Sequence, residues 1–410
     1  MGLLQRWAFS PMNSSDAACP AWLAHHLQQA GGVVPFSCFM DWALNDPGHG
    51  YYGSGQARIG VEGDFVTSPS LGPDFASLLA VQLGQWLSRL MAESPPGAPL
   101  SLVECGPGSG QLALDLVREL LVLHPDLAGR LDLRLIELNP GMRERQQSLL
   151  EGALPIPVQW CSLDDLKRAP VRGIVLAHEL LDALPVERLI WSGEGLFRQG
   201  VKLLDSGDGT PALTGVSMPL PDDLRAEAQG MAEACGFSLP PLGAAAGWTT
   251  EWHGDAFRCI DQIASGLSHG LVLVIDYALE ARRYYTARRD QGTLMAYRHQ
   301  QCGEDPLAKA GQQDLTAHLC IDTLQVAARR SGLSPGQVMR QGEALLALGL
   351  AERLHGLQQL APGDLPQALQ RREALLRLVD PVCLGEFRWL TFLHTDADET
   401  TDGWVIGVAC

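Results

Sequence analysis

The stretch VECGPGSGQ, residues 103–111, sets a carboxylate, Glu104, two positions ahead of three glycines, Gly106, Gly108 and Gly110, that alternate with other residues. Two phosphate-binding readings fail on spacing. A P-loop ends in Gly-Lys-Ser/Thr, whereas this loop runs into Gln111-Leu112. A dinucleotide fingerprint places its third Gly or Ala three residues after the second; that position is Gln111, and the third glycine arrives early, at Gly110. What remains is a loop that leaves a strand and enters a helix with its main chain close to an unphosphorylated ligand. Glycine has no Cβ and tolerates positive φ, so a nucleoside carrying an amino-acid tail can lie against such a backbone. At the strand end, Glu104 can pair with an ammonium group.

Outward from this loop the pattern is strand and helix in alternation. SLVEC (101–105) reads as a buried strand and LALDLVRELLVL (112–123) as the helix after it. LRLIE (133–137), VQW (158–160), GIVLA (173–177) and LVLVI (271–275) continue the series of short apolar runs. Such alternation predicts an α/β protein with a mostly parallel sheet and helices on both faces. Upstream, residues 1–98 read as a mostly helical cap region that ends in SPPGAP (94–99). PDFASLLAVQLGQWLSRL (73–90) carries Phe75, Leu78, Leu79, Leu83, Trp86 and Leu87 at helical spacing. Residues 191–250, rich in Gly and Ser turns around short alternating runs, read as a central β-rich insertion that faces the acceptor or a partner. The sheet core is then 99–190 and 251–410. FRWLTFLH and GWVIGVA near the C-terminus suggest a hairpin closing the sheet.

The ends of these strands are where an open parallel sheet binds its ligand. Glu137 closes the second strand, and His178, Glu179 and Asp182 follow the fourth. Asp182 also suits an N-cap. Asp276-Tyr277 reaches the same rim from the fifth strand. GDFVTSP (63–69) offers Asp64 with Phe65, Thr67 and Ser68 beside it, a segment placed to fold over a ligand, although Gly63-Asp64 reads equally as a plain turn. Tyr51 and Tyr52 suit either a cation–π contact or the core.

Composition narrows the class. With 410 residues, 46% hydrophobic and 19% charged, the chain has material for a large core. Its apolar runs are too short for a membrane span. The net charge of −17 argues against a phosphate-binding surface for nucleic acid. One local exception is RRYYTARRDQGTLMAYRH (282–299), a surface loop or a partner-binding one. Ten cysteines without a CxxC pair and a start without a secretion signal point to a reducing cytoplasm. The eleven histidines include neither HExxH nor a zinc-spaced cluster, so no metal is expected.

Several separate stretches resemble the MidA-like class I S-adenosylmethionine-dependent methyltransferases, a family that includes the mitochondrial complex I assembly methyltransferase. They are DPGHGYYG (46–53), GDFVTSPSLGPDFA (63–76), VECGPGSGQLALDL (103–116), AHELLDALPVERL (177–189), GTLMAYR (292–298), DLTAH (314–318) and LGEFRWL (384–390). The resemblance runs from about residue 35 almost to the C-terminus. It implies a Rossmann-like class I methyltransferase fold with S-adenosylmethionine as cofactor. Glu104, Gly106, Gly108, Gly110 and Glu137 would hold it, with His178, Phe65, Thr67 and Ser68. Asp64, Glu179 and Asp182 are the implied catalytic residues. Three departures stand out: His178 where the family has Asn, Leu180-Leu181 where it has two aromatics, and Ser70 where it has Glu.

The implied acceptor is a protein arginine, on a subunit of an NADH-dehydrogenase-like complex. Glu179 and Asp182 match a guanidinium fork. A homodimer is compatible with the chain; no nucleic-acid partner or membrane insertion is expected. Two other readings stay open: an assembly protein that keeps the fold without catalysis, and a methyltransferase of RNA or a small molecule.

Overall fold

The computed structural model describes residues 17–55, 57, 60, 63–64, 66–206, 210–299, 301–303, 305–359, 364–395 and 404–407. The chain divides into two compact units, residues 58–181, 257–278 and 327–410 forming one, and residues 1–57, 182–256 and 279–326 the other.

The first of these, the parallel-sheet unit, holds seven strands: β1 (Leu100–Cys105), β2 (Leu131–Ile136), β3 (Val158–Trp160), β4 (Val171–His178), β5 (Leu267–Asp276), β6 (Ser334–Arg340) and β7 (Arg388–His394). Their order across the sheet is β6-β7-β5-β4-β1-β2-β3. The pairs β1–β2, β2–β3, β1–β4 and β4–β5 are parallel. Strand β7 runs antiparallel between β5 and β6. This is the mostly parallel sheet expected of a class I methyltransferase, and each strand except β6 contains the apolar run that announced it.

Both faces are covered, and the residue alternation shows why the strands read as continuous apolar runs. Leu102 of β1, Ile174 and Leu176 of β4, and Leu271, Leu273 and Ile275 of β5 join one core with the helix Asp74–Ala92. Their neighbours Val103, Val175, Val272 and Val274 point to the opposite face and are equally buried. The helix Asp74–Ala92 buries Phe75, Leu78, Leu79, Leu83, Trp86 and Leu87, the stripe seen in the sequence. Asp74 stands in its first turn, where a carboxylate suits the helix dipole, and Arg371 grips it at 2.7 and 3.0 Å.

The C-terminal hairpin is a correction. Strand β7 is paired on both edges, by β5 and β6, so no edge is left for a further strand. Trp404–Gly407 instead makes a turn, with buried Trp404 under the Arg89 guanidinium at 5.0 Å.

The second unit is antiparallel. Its main sheet has the order 17–18, 210–219, 196–206, 187–191, 249–252, with 33–35 pairing onto 196–206. The 196–206 and 210–219 strands are the long hairpin expected of the β-rich insertion, in register from Phe197 opposite Pro219 to Ser206 opposite Thr210. A small sheet of 295–298, 301–303 and 314–316 lies in the same unit. Among the described residues no helix is long and apolar enough to cross a membrane.

Candidate active site

The strand order of the parallel-sheet unit reverses between β1 and β4, because β2 and β3 extend to one side of β1 and β4 begins the other. At such a switch point the loops leaving two neighbouring strands part and leave a crevice beyond their carboxyl ends. The loop after β1 is the glycine loop. Gly106, Gly108 and Gly110 all have left-handed φ, at 66°, 51° and 83°. A Cβ on Gly106 would stand 2.7 Å from Leu180 Cδ1, so the two loops meet with no room for a side chain. Gly110 starts the helix Gln111–Leu123 as its N-cap.

Glu104 is buried at the end of β1, and its Oε2 has no hydrogen-bond partner among the described residues. Burial pushes its carboxyl up to about 8. A buried carboxylate without a partner is costly, and it becomes favourable when a cation supplies the missing contact. An ammonium group fits that vacancy in hydrogen bonding.

Glu137 follows β2 and is engaged by its own surroundings. Its Oε1 accepts the Asn139 N–H at 2.8 Å and its Oε2 accepts Gln146 Nε2 at 2.9 Å. Each oxygen keeps a further lone pair, which suits hydroxyl donors. Burial raises its pKa, opposed by these hydrogen bonds. Gln146 is the residue that sequence reasoning missed here. Fully buried, its Nε2 also donates to the Gly108 carbonyl at 2.7 Å, and its Oε1 accepts the Trp160 indole at 2.9 Å. One amide therefore ties the glycine loop, the second acid and the third strand together. The signal was a glutamine between Met142 and Leu150 on the buried face of the helix Pro140–Leu150.

Beyond β4, His178 is buried between aromatic rings, 5.2 Å from Phe75 and 6.4 Å from Phe387 between centroids. Burial pulls its imidazole down to about 3, so the ring is neutral. Its Nε2 lies 3.4 Å from Glu179 Oε1 but is not aligned for a hydrogen bond. Glu179 has φ of 50°, a strained value for a residue with a side chain. Two anchors hold that turn: Glu179 N–H donates to the Ile275 carbonyl at 2.9 Å, and Leu181 N–H to Asp276 Oδ2 at 2.9 Å. Asp276 is fully buried and also takes the Tyr277 N–H, so it braces the turn.

The segment before the core reaches the same place. Ser68 N–H donates to Glu179 Oε1 at 3.2 Å, and the Ser68 hydroxyl bonds Gln341, which in turn donates to the Leu378 and Leu384 carbonyls. Ser70, the departure from the family's Glu, closes the turn by bonding the Thr67 N–H and carbonyl. Asp64, Thr67 and Ser68 are buried; Phe65 lies outside the described residues. Gln341, another fully buried amide, was not legible in the sequence.

Asp182 belongs to the antiparallel unit, where it is buried and its carbonyl accepts the Ala317 N–H at 2.9 Å. In that unit Tyr52 donates its hydroxyl to Asp314 Oδ1 at 2.8 Å. Burial and then the charges of Asp314 and Asp182 push the phenol well up. Tyr51 is buried against Tyr52.

Comparison with known proteins agrees with this geometry. A family model described as "Putative S-adenosyl-L-methionine-dependent methyltransferase" matches residues 78–339. The chain is 26% identical to "Protein arginine methyltransferase NDUFAF7, mitochondrial" of Danio rerio over 398 residues, covering 89% of this chain and 85% of that one. It is also 26% identical to the Drosophila melanogaster homologue of that protein, with 88% and 81% covered. A "likely methyl transferase" from Burkholderia thailandensis, solved bound to S-adenosyl-homocysteine, superposes with a TM-score of 0.78 at 27% identity over 94% of each chain. The cytoplasmic location expected from the sequence is corrected by the same relatives, which are mitochondrial proteins by name. A family match across residues 78–339, with the expected sheet and glycine loop, makes the chain a member of this family of S-adenosyl-L-methionine-dependent methyltransferases.

Proposed function

We propose that the protein methylates an arginine side chain on a protein, a subunit of an NADH-dehydrogenase-like complex, and so takes part in assembling that complex. The observation that carries the cofactor side is the unsatisfied, buried Glu104 Oε2 beside three left-handed glycines. The acceptor side is supported by the arginine-methyltransferase names of relatives that align over most of the chain.

In this reading Glu104 takes the ammonium of the cofactor and Glu137 takes its ribose hydroxyls. The backbone of Gly106, Gly108 and Gly110 lies against it, and Leu138, 90% exposed beside Glu137, offers an apolar face to the base. Bound there, the cofactor supplies an electrophilic methyl group on a sulfonium. The protein has to position the nucleophile and manage its proton; holding two reactants in line contributes on the order of 7–11 kcal/mol at best. Glu179 is the carboxylate we propose for the acceptor. Its strained turn, the Ser68 N–H on Oε1 and the fixed β5 partner hold it in one orientation, and a carboxylate matches a guanidinium fork. Such a contact keeps the positive charge on the nitrogens facing the carboxylate and leaves the remaining nitrogen to attack. His178, neutral and next to Glu179, can take up a hydrogen bond at Nε2. Asp64, Thr67, Ser68 and Asp182 remain candidates whose contributions substitutions to Asn, Val, Ala and Asn, respectively, would measure.

The test is transfer of label from methyl-tritiated S-adenosylmethionine into an extract of cells lacking the protein, with Gly108→Arg as the control. Label in protein, recovered as methylated arginine and missing from the control, supports the reading. Label confined to RNA or small molecules overturns the arginine acceptor. Cofactor binding without any label leaves an assembly protein that has kept the fold.

A further inference from the structure

The segment Ala281–Arg289, ARRYYTARR, carries four arginines and no acidic residue in a chain of net charge −17. Its tyrosines and arginines part company. Tyr284 and Tyr285 are buried with Trp248 and Cys320, and Tyr285 stacks on Phe237 at 4.2 Å. The Trp248 indole donates to the Thr286 carbonyl at 2.9 Å, and the Ala281 N–H is held by Asp322 at 2.6 Å. The turn is therefore pinned from inside, while Arg282, Arg283 and Arg288 are exposed. Arg283 has Glu280 at 3.6 Å, and Arg289 donates to the Arg283 carbonyl. Arg282 and Arg288 make no hydrogen bond or ion pair with any described residue.

An arginine left in water gains nothing for stability, whereas guanidinium groups fixed on a braced turn are pre-organised to take carboxylates bidentately. In a chain of net charge −17 an acidic partner gains attraction where arginines cluster, as they do on this turn. Nucleic acid fits less well: one turn offers few phosphate contacts, and the remaining charge opposes the duplex or strand on either side.

We propose that Arg282 and Arg288, presented on the Ala281–Arg289 turn, form the docking surface for an acidic stretch of the protein substrate. This rests on the reading that the acceptor is a protein, and it concerns recognition away from the methylated residue.

The experiment is a fluorescence-anisotropy titration of the full chain with a labelled oligoglutamate peptide and, separately, a labelled single-stranded oligonucleotide. The expected result is saturable binding of the peptide that weakens steeply with salt, is lowered ~10-fold or more in R282E/R288E, and is lowered less in R282K/R288K, which keeps the charge but loses the fork. Reversal of another exposed arginine, R168E, should leave binding unchanged, and unfolding temperatures verify that the variants are folded. No peptide binding by the unsubstituted chain, or equal binding by R282E/R288E, overturns the proposal. Oligonucleotide bound as tightly as the peptide overturns the choice of partner. Because the titration needs no turnover, its failure is distinct from a failure to label protein.

Discussion

Two buried glutamates, one in each unit, show how the same side chain serves opposite ends. Glu251, in the antiparallel unit, is fully buried but surrounded by donors: Tyr284, the Thr293 N–H and the Thr293 hydroxyl all reach Oε2, and Arg188 stands 3.5 Å from Oε1. Arg188 is itself held by Gln199 and the Gln291 carbonyl. Gly292 passes so close that a Cβ there would collide with the carboxylate. Glu104 is also buried, but no hydrogen bond or cation from the described residues reaches its Oε2, whereas the Oε1 of Glu251, likewise without a hydrogen bond, has the Arg188 guanidinium beside it. A buried carboxylate with a cation beside it helps to fix a fold, and one without a cation is suited to a cationic ligand.

The largest effect should follow from breaking the ion-paired one. Glu251→Gln leaves Arg188 buried beside a neutral amide, which costs about 3–5 kcal/mol by comparison with other broken buried pairs. Urea unfolding measures it; a loss below ~1 kcal/mol would mean that Arg188 finds water instead. Glu104→Gln should do the reverse. Its carboxyl is raised in the folded state from 4.5 to about 8, so ionising it subtracts stability as pH climbs through that window. The variant is spared this loss and should gain on the unsubstituted protein between about pH 5 and 9, the opposite of what a structural carboxylate shows.

Gln146→Leu sharpens the comparison from another side. It removes the donor shared by Glu137 and Gly108 and leaves the Trp160 indole unpaired, a cost of about 1–3 kcal/mol. Affinity for S-adenosyl-homocysteine should fall ~10-fold because the loop loses its tether. The smallest effect belongs to His178→Asn, the residue usual in the resembling family. Since burial depresses the imidazole from 6.5 to about 3, the folded protein loses stability as pH falls below 6.5 and the unfolded chain takes up the proton. The asparagine variant should lack that acid-side loss, bind the cofactor within a few-fold, and show the same activity profile above about pH 6.5. A shifted profile there would give His178 a proton-carrying role.

Much of the sheet could be read from the chain because parallel strands buried on both faces leave uninterrupted apolar runs, as in LVLVI at 271–275. Glu104 and the glycines were legible for a related reason: a backbone needing three left-handed residues and a strand-end carboxylate writes itself in residue type. Glutamine does not. Gln146 and Gln341 act through bonds to residues up to 273 positions away, and nothing local marks a buried amide as a tether. Strand β6, SPGQVMR, alternates exposed and half-buried residues at an edge and contains a proline, so its pattern offered no apolar run. That edge, already filled, is what displaced the expected C-terminal hairpin.

The most direct measurement is a calorimetric titration of S-adenosyl-homocysteine into the protein and into Glu104→Gln, at pH 7 in two buffers of different ionisation enthalpy. If Glu104 supplies the vacant partner, the protein binds with release of most of one proton, because its carboxyl is protonated before an ammonium arrives. The variant should bind ~100-fold more weakly, with no such release. Equal affinity and equal proton release in both proteins would contradict the assignment of Glu104, and with it the claim that this strand end holds the cofactor.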